Sequence, residues 1–204
     1  MPLSASCAGI ILSGGLNTRM GGRNKAFLDL DGRCFLDRII ASLEACFQEI
    51  LIVTREPDLY AERPARVVAD ILAARSPLTG IHAGLTRMKG DFAFVTSCDT
   101  PLLTKEVIEV LVQAIAPDTD VITPTEGPYF QPMCAVYSRR CAPVIEKMLR
   151  RRELKVDQLY DQVRLKTIPY ERFRAVDPML ESFFNVNTPE DLETARRMCA
   201  RPAS

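Results

Sequence analysis

The stretch AGIILSGGLNTRMGGRNK, residues 8–25, is the most informative part of the chain. Its first five residues (AGIIL) form a short apolar run that glycines end, the pattern of a buried strand. From Leu12 to Lys25 the chain then holds four glycines, Gly14, Gly15, Gly21 and Gly22, together with Arg19 and Lys25. Glycines let a backbone approach an anion and turn its N–H groups inward, while the two basic side chains add charge. A phosphate-binding loop directly after a buried strand follows, and a triphosphate suits it well. The spacing is neither GxxxxGK[ST] nor GxGxxG, which sets aside P-loop enzymes and dinucleotide-binding oxidoreductases.

Outward from this unit, short apolar runs alternate with amphipathic stretches, so the expected class is α/β, a largely parallel sheet covered on both faces. Strands are expected at 49–54, 66–69, 91–96, 121–123, 131–137, 163–168 and 183–186. Phe35, Leu36, Ile39, Ile40 and Leu43 recur at helical spacing, and further helices are expected over 80–88, from an N-cap at Thr104 to about residue 115, and over 138–152. Thr188-Pro189-Glu190-Asp191 signals the start of a last helix. Lys147, Arg150, Arg151 and Arg152 crowd one helix end, which suits the helix dipole and reads as a solvated face. With no repeat and no long Pro/Gly linker, residues 1–204 are expected to form a single domain.

Composition narrows the function. Lys+Arg and Asp+Glu are equal at 26 each, so no nucleic-acid partner is expected and any phosphate chemistry is local. Seven scattered cysteines without a CxxC pair point away from zinc and redox motifs and toward a reducing, cytoplasmic setting. The first residues have neither a basic n-region nor a long apolar run, so no membrane association is expected. His82 is the only histidine and is read as a residue at the start of a helix. Catalysis must then rest on carboxylates, lysine, arginine, backbone donors and a metal.

Three further segments can supply such groups. In FVTSCDTPLL, Asp99 follows an apolar strand and precedes a proline; it reads as a magnesium ligand or as a turn aspartate. Asp70, after the strand RVVA, reads from its segment as a turn aspartate. In FFNVNTPEDLETA, Asn185 and Asn187 are expected on opposite faces of a strand, so that only one faces the site, unless one bonds backbone at the strand end. In FQPMCAVY, Met133, Ala135 and Tyr137 are expected in the core or on the sheet face.

Residues 12–32, LSGGLNTRMGGRNKAFLDLDG, resemble the signature LAGGxSxRMGxDKxLxxxxG of the molybdenum cofactor guanylyltransferases, and residues 185–192 resemble the NVNTPEDL of the same family. With the Asp99 segment between them, the three matches keep the family's order. The resemblance implies a three-layer α/β/α sandwich with a Rossmann-like sheet of the nucleotide-diphospho-sugar transferase type. It implies transfer of GMP from GTP to molybdopterin, release of pyrophosphate and dependence on Mg²⁺, with other molybdenum cofactor biosynthesis proteins or acceptor enzymes as partners. By resemblance Lys25, Asp99 and Arg19 are catalytic, while Leu12, Ser13, Gly14, Gly15, Lys25, Asp70 and Asp99 bind the nucleotide. Asp99 and Asn187 would hold the metal, and Gln131, Pro132 and Asn185 would face the acceptor. Guanine would be read near residues 12–14 and in the loop after Asp70. Departures from the family pattern are Ser13 for alanine, Asn24 for aspartate, Arg75-Ser76 in a glycine-rich region, and Val53 and Thr54 where relatives can have asparagine. Three alternatives stay open: a cytidylyltransferase for the same pterin, a non-catalytic nucleotide- or cofactor-binding adaptor, and transfer to a sugar phosphate.

Overall fold

A computed structural model describes residues 6–14, 24–70, 72 and 74–200. Strand β1 (Cys7–Ser13) lies inside a mixed sheet and explains the layering. Alternate strand residues face opposite sides. Cys7 and Ile11 enter one apolar cluster, Ala8 and Ile10 the other, so both faces are covered and the run reads as continuously apolar. The hairpin of β2 (Asp29–Leu30) and β3 (Arg33–Cys34) then leads into α1 (Phe35–Glu44), which buries Phe35, Leu36, Ile39, Ile40 and Leu43, the set expected from spacing.

Strands β4 (Ile50–Thr54) and β5 (Arg66–Ala69) extend the sheet on one side of β1. Helix α2 (Pro77–Arg87) packs over β1 so closely that a Cβ at Gly84 would stand 2.6 Å from Ile10 Cδ1. This close approach accounts for a glycine inside a helix, where it costs about 1 kcal/mol relative to alanine. On the other side of β1 lie β6 (Phe92–Ser97), β9 (Cys134–Ser138), β7 (Val121–Glu126) and β10 (Leu165–Pro169), in that spatial order, with β8 (Tyr129–Phe130) paired to β7. Helix α3 (Lys105–Gln113) joins the cluster of α1, and α4 (Cys141–Arg150) the cluster of α2. Helices α5 (Asp157–Tyr160) and α6 (Pro189–Cys199) complete the set. The fold is the expected three-layer α/β/α arrangement. Among the described residues no helix is long and apolar enough to cross a membrane.

Within the largely parallel sheet, β9 is antiparallel to both its neighbours; the connection from β7, residues 127–133, is too short for the crossover that a parallel partner needs. Several expected element bounds are corrected. Strand β9 begins at Cys134 rather than 131, because Pro132 has no N–H to donate and the Cys134 N–H turns back to the Gln131 carbonyl. Residues 183–186 form no strand: Glu181–Phe183 is a 3-10 turn entered through Leu180 at φ 56°, and Val186 makes one backbone bond, to Asp99. Helix α2 starts three residues early, since Ser76 caps it and Pro77 fits its first turn. Thr104 holds the N-cap position of α3 without a side-chain cap bond; its hydroxyl lies 3.3 Å from Ser182 Oγ instead.

At the amino end of β7, remote from the carboxyl ends of β1 and β6, Asp120 ties three strands together. Arg140 Nε donates to it at 2.7 Å, and Arg164 donates through Nε at 2.8 Å, Nη2 at 2.9 Å and the backbone N–H at 3.1 Å. The Arg164 guanidinium holds the Asp120 carboxyl well below its ordinary value of 3.8. A depressed folded pKa means stability that is present above pH 3.8 and is lost as pH falls toward the folded value. Asp120→Asn should therefore cost about 2 kcal/mol at pH 7, the scale of hydrogen bonds to charged groups. The deficit should shrink as the pH drops below 3.8. Equal melting temperatures at pH 7 would contradict this role.

Candidate active site

A cavity of about 520 Å³ opens at the carboxyl ends of four adjacent parallel strands, β6, β1, β4 and β5. Polar residues follow each strand into it: Asp99 after β6, Gly14 and Lys25 after β1, Arg55 after β4, and Asp70 after β5. Open α/β sheets bind ligands in this position.

At the β1–β6 side, Lys25 stands on a 3-10 turn (Lys25–Phe27) capped by Asn24, whose Oδ1 accepts the Ala26 N–H at 3.1 Å. Lys25 Nζ donates to Asn187 Oδ1 at 2.7 Å and lies 3.8 Å from Asp99 Oδ2. The other Asp99 oxygen accepts from Ser97 Oγ. The Val186 N–H donates to the Asp99 carbonyl at 2.8 Å while the Val186 side chain is buried, so Asn185 and Asn187 both turn into the cavity. The expectation of opposite faces is thus corrected: residues two apart in extended chain share a face. Asp191 fixes Asn187 further, accepting its N–H and that of Thr188, each at 2.9 Å, within the capping box that opens α6. The Asn187 N–H foremost holds the Asp191 carboxyl below its ordinary value.

At the β4–β5 side, the Asp70 N–H continues the ladder by donating to the Thr54 carbonyl at 2.8 Å. Asp70 Oδ2 accepts from Thr79 Oγ1 at 2.7 Å and lies 3.6 Å from Arg55 Nε. Arg55 also donates to the carbonyls of Leu72 and Ala74, at 2.7 and 2.5 Å. The amino end of α2 forms the wall here, where a Cβ at Gly80 would stand 3.0 Å from Leu12 Cδ2.

Of the residues read from sequence, Leu12, Gly14, Lys25, Asp70, Asp99, Asn185 and Asn187 line this one cavity. Ser13 is buried and outside the lining, its hydroxyl 2.6 Å from Tyr60 Oη. Gln131 and Pro132 are not among the lining residues; Gln131 Nε2 donates to Tyr170 Oη at 2.6 Å, and the Pro132 carbonyl accepts from Tyr137 Oη at 2.9 Å. Met133, expected in the core or on the sheet face, does line the cavity, whereas Ala135 and Tyr137 are buried. Arg19 and Gly15, like Gly21 and Gly22, lie outside the described residues. Sequence reasoning missed Arg55, Ser97 and Thr79, and named Arg75 only as a departure from the family pattern. Arg55 carried a signal, since it follows the strand ILIVT as Asp99 and Asp70 follow theirs.

His82 lies within α2, past its start, beside a separate groove along β5 with Arg66, Val68 and Thr86. Desolvation pushes the Cys98 thiol up to about 11, so at neutral pH it is protonated and no thiolate faces the cavity. Among the described residues no three His, Cys, Asp or Glu side chains cluster as a metal site. Magnesium needs fewer protein ligands, usually one or two carboxylates plus substrate phosphates. Asp99 and Asn187 present hard oxygens that already share a cation, the Lys25 ammonium, and this donor set fits it.

The profile of the family described as "MobA-like NTP transferase domain" matches residues 9–165. The molybdenum cofactor guanylyltransferase of Desulfosudis oleivorans is 42% identical over 187 residues, 92% of this chain and 93% of that protein. Among solved structures, the molybdopterin-guanine dinucleotide biosynthesis protein A of Archaeoglobus fulgidus superposes with a TM-score of 0.84 at 26% identity, covering 95% of this chain and 98% of that one. The 4-diphosphocytidyl-2C-methyl-D-erythritol synthase of Anaerococcus prevotii shares the fold at 15% identity, with a TM-score of 0.71 over 98% of this chain and 100% of its own. Because the profile spans most of the sequence and the Desulfosudis relative aligns across nearly its full length, this chain belongs to the molybdenum cofactor guanylyltransferase family of MobA-like nucleotidyltransferases.

Proposed function

We propose that this chain transfers GMP from GTP to molybdopterin and releases pyrophosphate. One observation carries the reading: the Lys25 ammonium stands between Asn187 and Asp99 at one side of a cavity whose other side is the Asp70–Arg55–Thr79 cluster. From β6 to β5 the sheet takes three strand spacings, roughly 14 Å. An extended nucleotide fits across it, with phosphates at Lys25 and the base toward Leu12, Asp70 and α2.

In the proposed reaction an oxygen of the molybdopterin terminal phosphate forms a bond to the α-phosphorus of GTP, and the bond from that phosphorus to the bridging oxygen of the leaving pyrophosphate breaks. A phosphate monoester is largely ionised near pH 7, its second pKa being about 6, so the attacking oxygen needs no protein base. This agrees with a cavity that His82 does not line. Lys25 places fixed positive charge where negative charge builds up on the leaving group, and fixed charges act without reorganising. Asp99 and Asn187 are the residues that would hold Mg²⁺, which when bound offsets phosphate charge. Val186 and Asp191 keep Asn187 in place through backbone bonds. Asp70 orients the wall that reads the base.

The reading is tested by calorimetric titration with GTP, CTP and ATP, each with and without Mg²⁺. GTP should bind selectively, and Lys25→Ala should weaken it at least about tenfold, the effect of losing one charged hydrogen bond. Asp99→Ala should fold normally and release no measurable pyrophosphate; normal turnover in that variant sinks the assignment. A preference for CTP would instead indicate the cytidylyl reaction, and no nucleotide binding at all a non-catalytic protein. A further variant, Asp70→Ala, should raise KM for GTP about tenfold with little change in kcat, as expected where binding alone is lost. A fall confined to kcat would place Asp70 in the chemistry instead.

A further inference from the structure

Tyr60 ends a short 3-10 turn (Pro57–Tyr60) after β4 and is completely buried, outside the lining of the cavity. Its ring lies against Phe27, with centroids 5.2 Å apart, next to the turn that carries Lys25. Its hydroxyl is 2.6 Å from Ser13 Oγ and accepts a bond of 2.9 Å from Asn24 Nδ2. A buried tyrosine hydroxyl needs a partner, and one suffices. Here two of its partners come from separate segments that flank the glycine-rich stretch in sequence: Ser13 ends β1, and Asn24 caps the Lys25 turn.

The arrangement uses both ends of the Asn24 amide. Its oxygen accepts the Ala26 N–H, which leaves the NH₂ to reach Tyr60. Next to Ser13 on β1, the Leu12 carbonyl accepts the N–H of Cys98, the residue before Asp99, at 3.1 Å. A chain of contacts therefore runs from the base of the Lys25 turn, through Tyr60 to Ser13 at the end of β1, and across the Leu12–Cys98 backbone bond to the turn that carries Asp99. Lys25 and Asp99 are 74 residues apart in sequence, and this chain links their supports away from the cavity itself.

We infer that Tyr60 is a positioning residue for the transfer reaction: by holding Ser13 and Asn24 to one hydroxyl, it sets where the Lys25 ammonium stands relative to Asp99. The inference rests on the assignment of Lys25 and Asp99 to the reacting phosphates. Lys25 has a long flexible stem, and its turn is anchored at the base by Asn24 and at the tip by Asn187. Releasing the base removes one of the supports that fix where the ammonium stands. A displacement of about 1 Å costs on the order of a hundredfold in rate.

The test uses Tyr60→Phe, which keeps the ring against Phe27, and Asn24→Ser, which keeps a capping oxygen but is too short to reach Tyr60. Pyrophosphate release from GTP and molybdopterin is measured well below the melting temperature of each variant. Each single variant should lose about tenfold to a hundredfold in kcat while KM for molybdopterin stays within about twofold. The double variant should fall no further than the weaker single one, because both changes cut the same tether. Should Tyr60→Phe not fold, Asn24→Ser and Ser13→Ala read the tether from its two ends by the same comparison. Wild-type kcat in these variants, or losses that multiply when combined, would overturn the inference. Lys25→Ala measured alongside separates the two claims: if it is inactive while Tyr60→Phe is fully active, the tether alone fails, whereas normal turnover in Lys25→Ala removes the site assignment and the tether together.

Discussion

The Lys25 ammonium, shared between Asn187 Oδ1 and Asp99 Oδ2, is the interaction on which the rest of the site depends. It joins the start, the middle and the end of the chain at one point, and each participant is held by a different device. Lys25 stands on a capped turn, Asp99 follows the β6 strand and accepts from Ser97, and Asn187 is fixed by the capping box of α6. Bringing like charges of GTP and a phosphate acceptor together calls for fixed cations in a partly desolvated place, and Lys25 is only 12% exposed there. The parallel sheet makes this convergence possible, since the carboxyl ends of β6, β1, β4 and β5 all open on the same side.

The two ends of the sheet divide the work. At the amino end of β7, Asp120 and two arginines lock β7, β9 and β10 with short, charged bonds. The carboxyl ends of the strands instead carry glycines, turns and charges held by longer contacts, the 3.8 Å pair of Lys25 and Asp99 and the 3.6 Å pair of Arg55 and Asp70 among them. Such looser pairs can be re-formed around phosphates, which is what a site that exchanges charged substrates needs.

Much of the fold was legible locally. The apolar run of β1 and the helical spacing of Phe35 to Leu43 each report burial on a period that sequence shows directly. The strand order was not legible, because β9 sits between β6 and β7 by long-range pairing, and its antiparallel direction follows from the length of a connection rather than from any residue pattern. Within the site, Lys25, Asp70, Asp99 and Asn187 stood out because each lies just past an apolar run or beside a capping signal. Asn185 and Asn187 were placed on opposite faces although their spacing puts them on one. Tyr60 carried no signal at all: its partners Ser13 and Asn24 are 47 and 36 residues away, and only the folded chain shows that two departures from the family pattern meet at one hydroxyl.

The most direct measurement follows the label when the purified protein is incubated with Mg²⁺, GTP labelled at the α-phosphate, and molybdopterin. The account predicts that the label moves onto the pterin, one equivalent for each pyrophosphate released, and that CTP does not substitute for GTP. Label that stays in the nucleotide, or that passes to a hexose phosphate while molybdopterin is left unmodified, would contradict it.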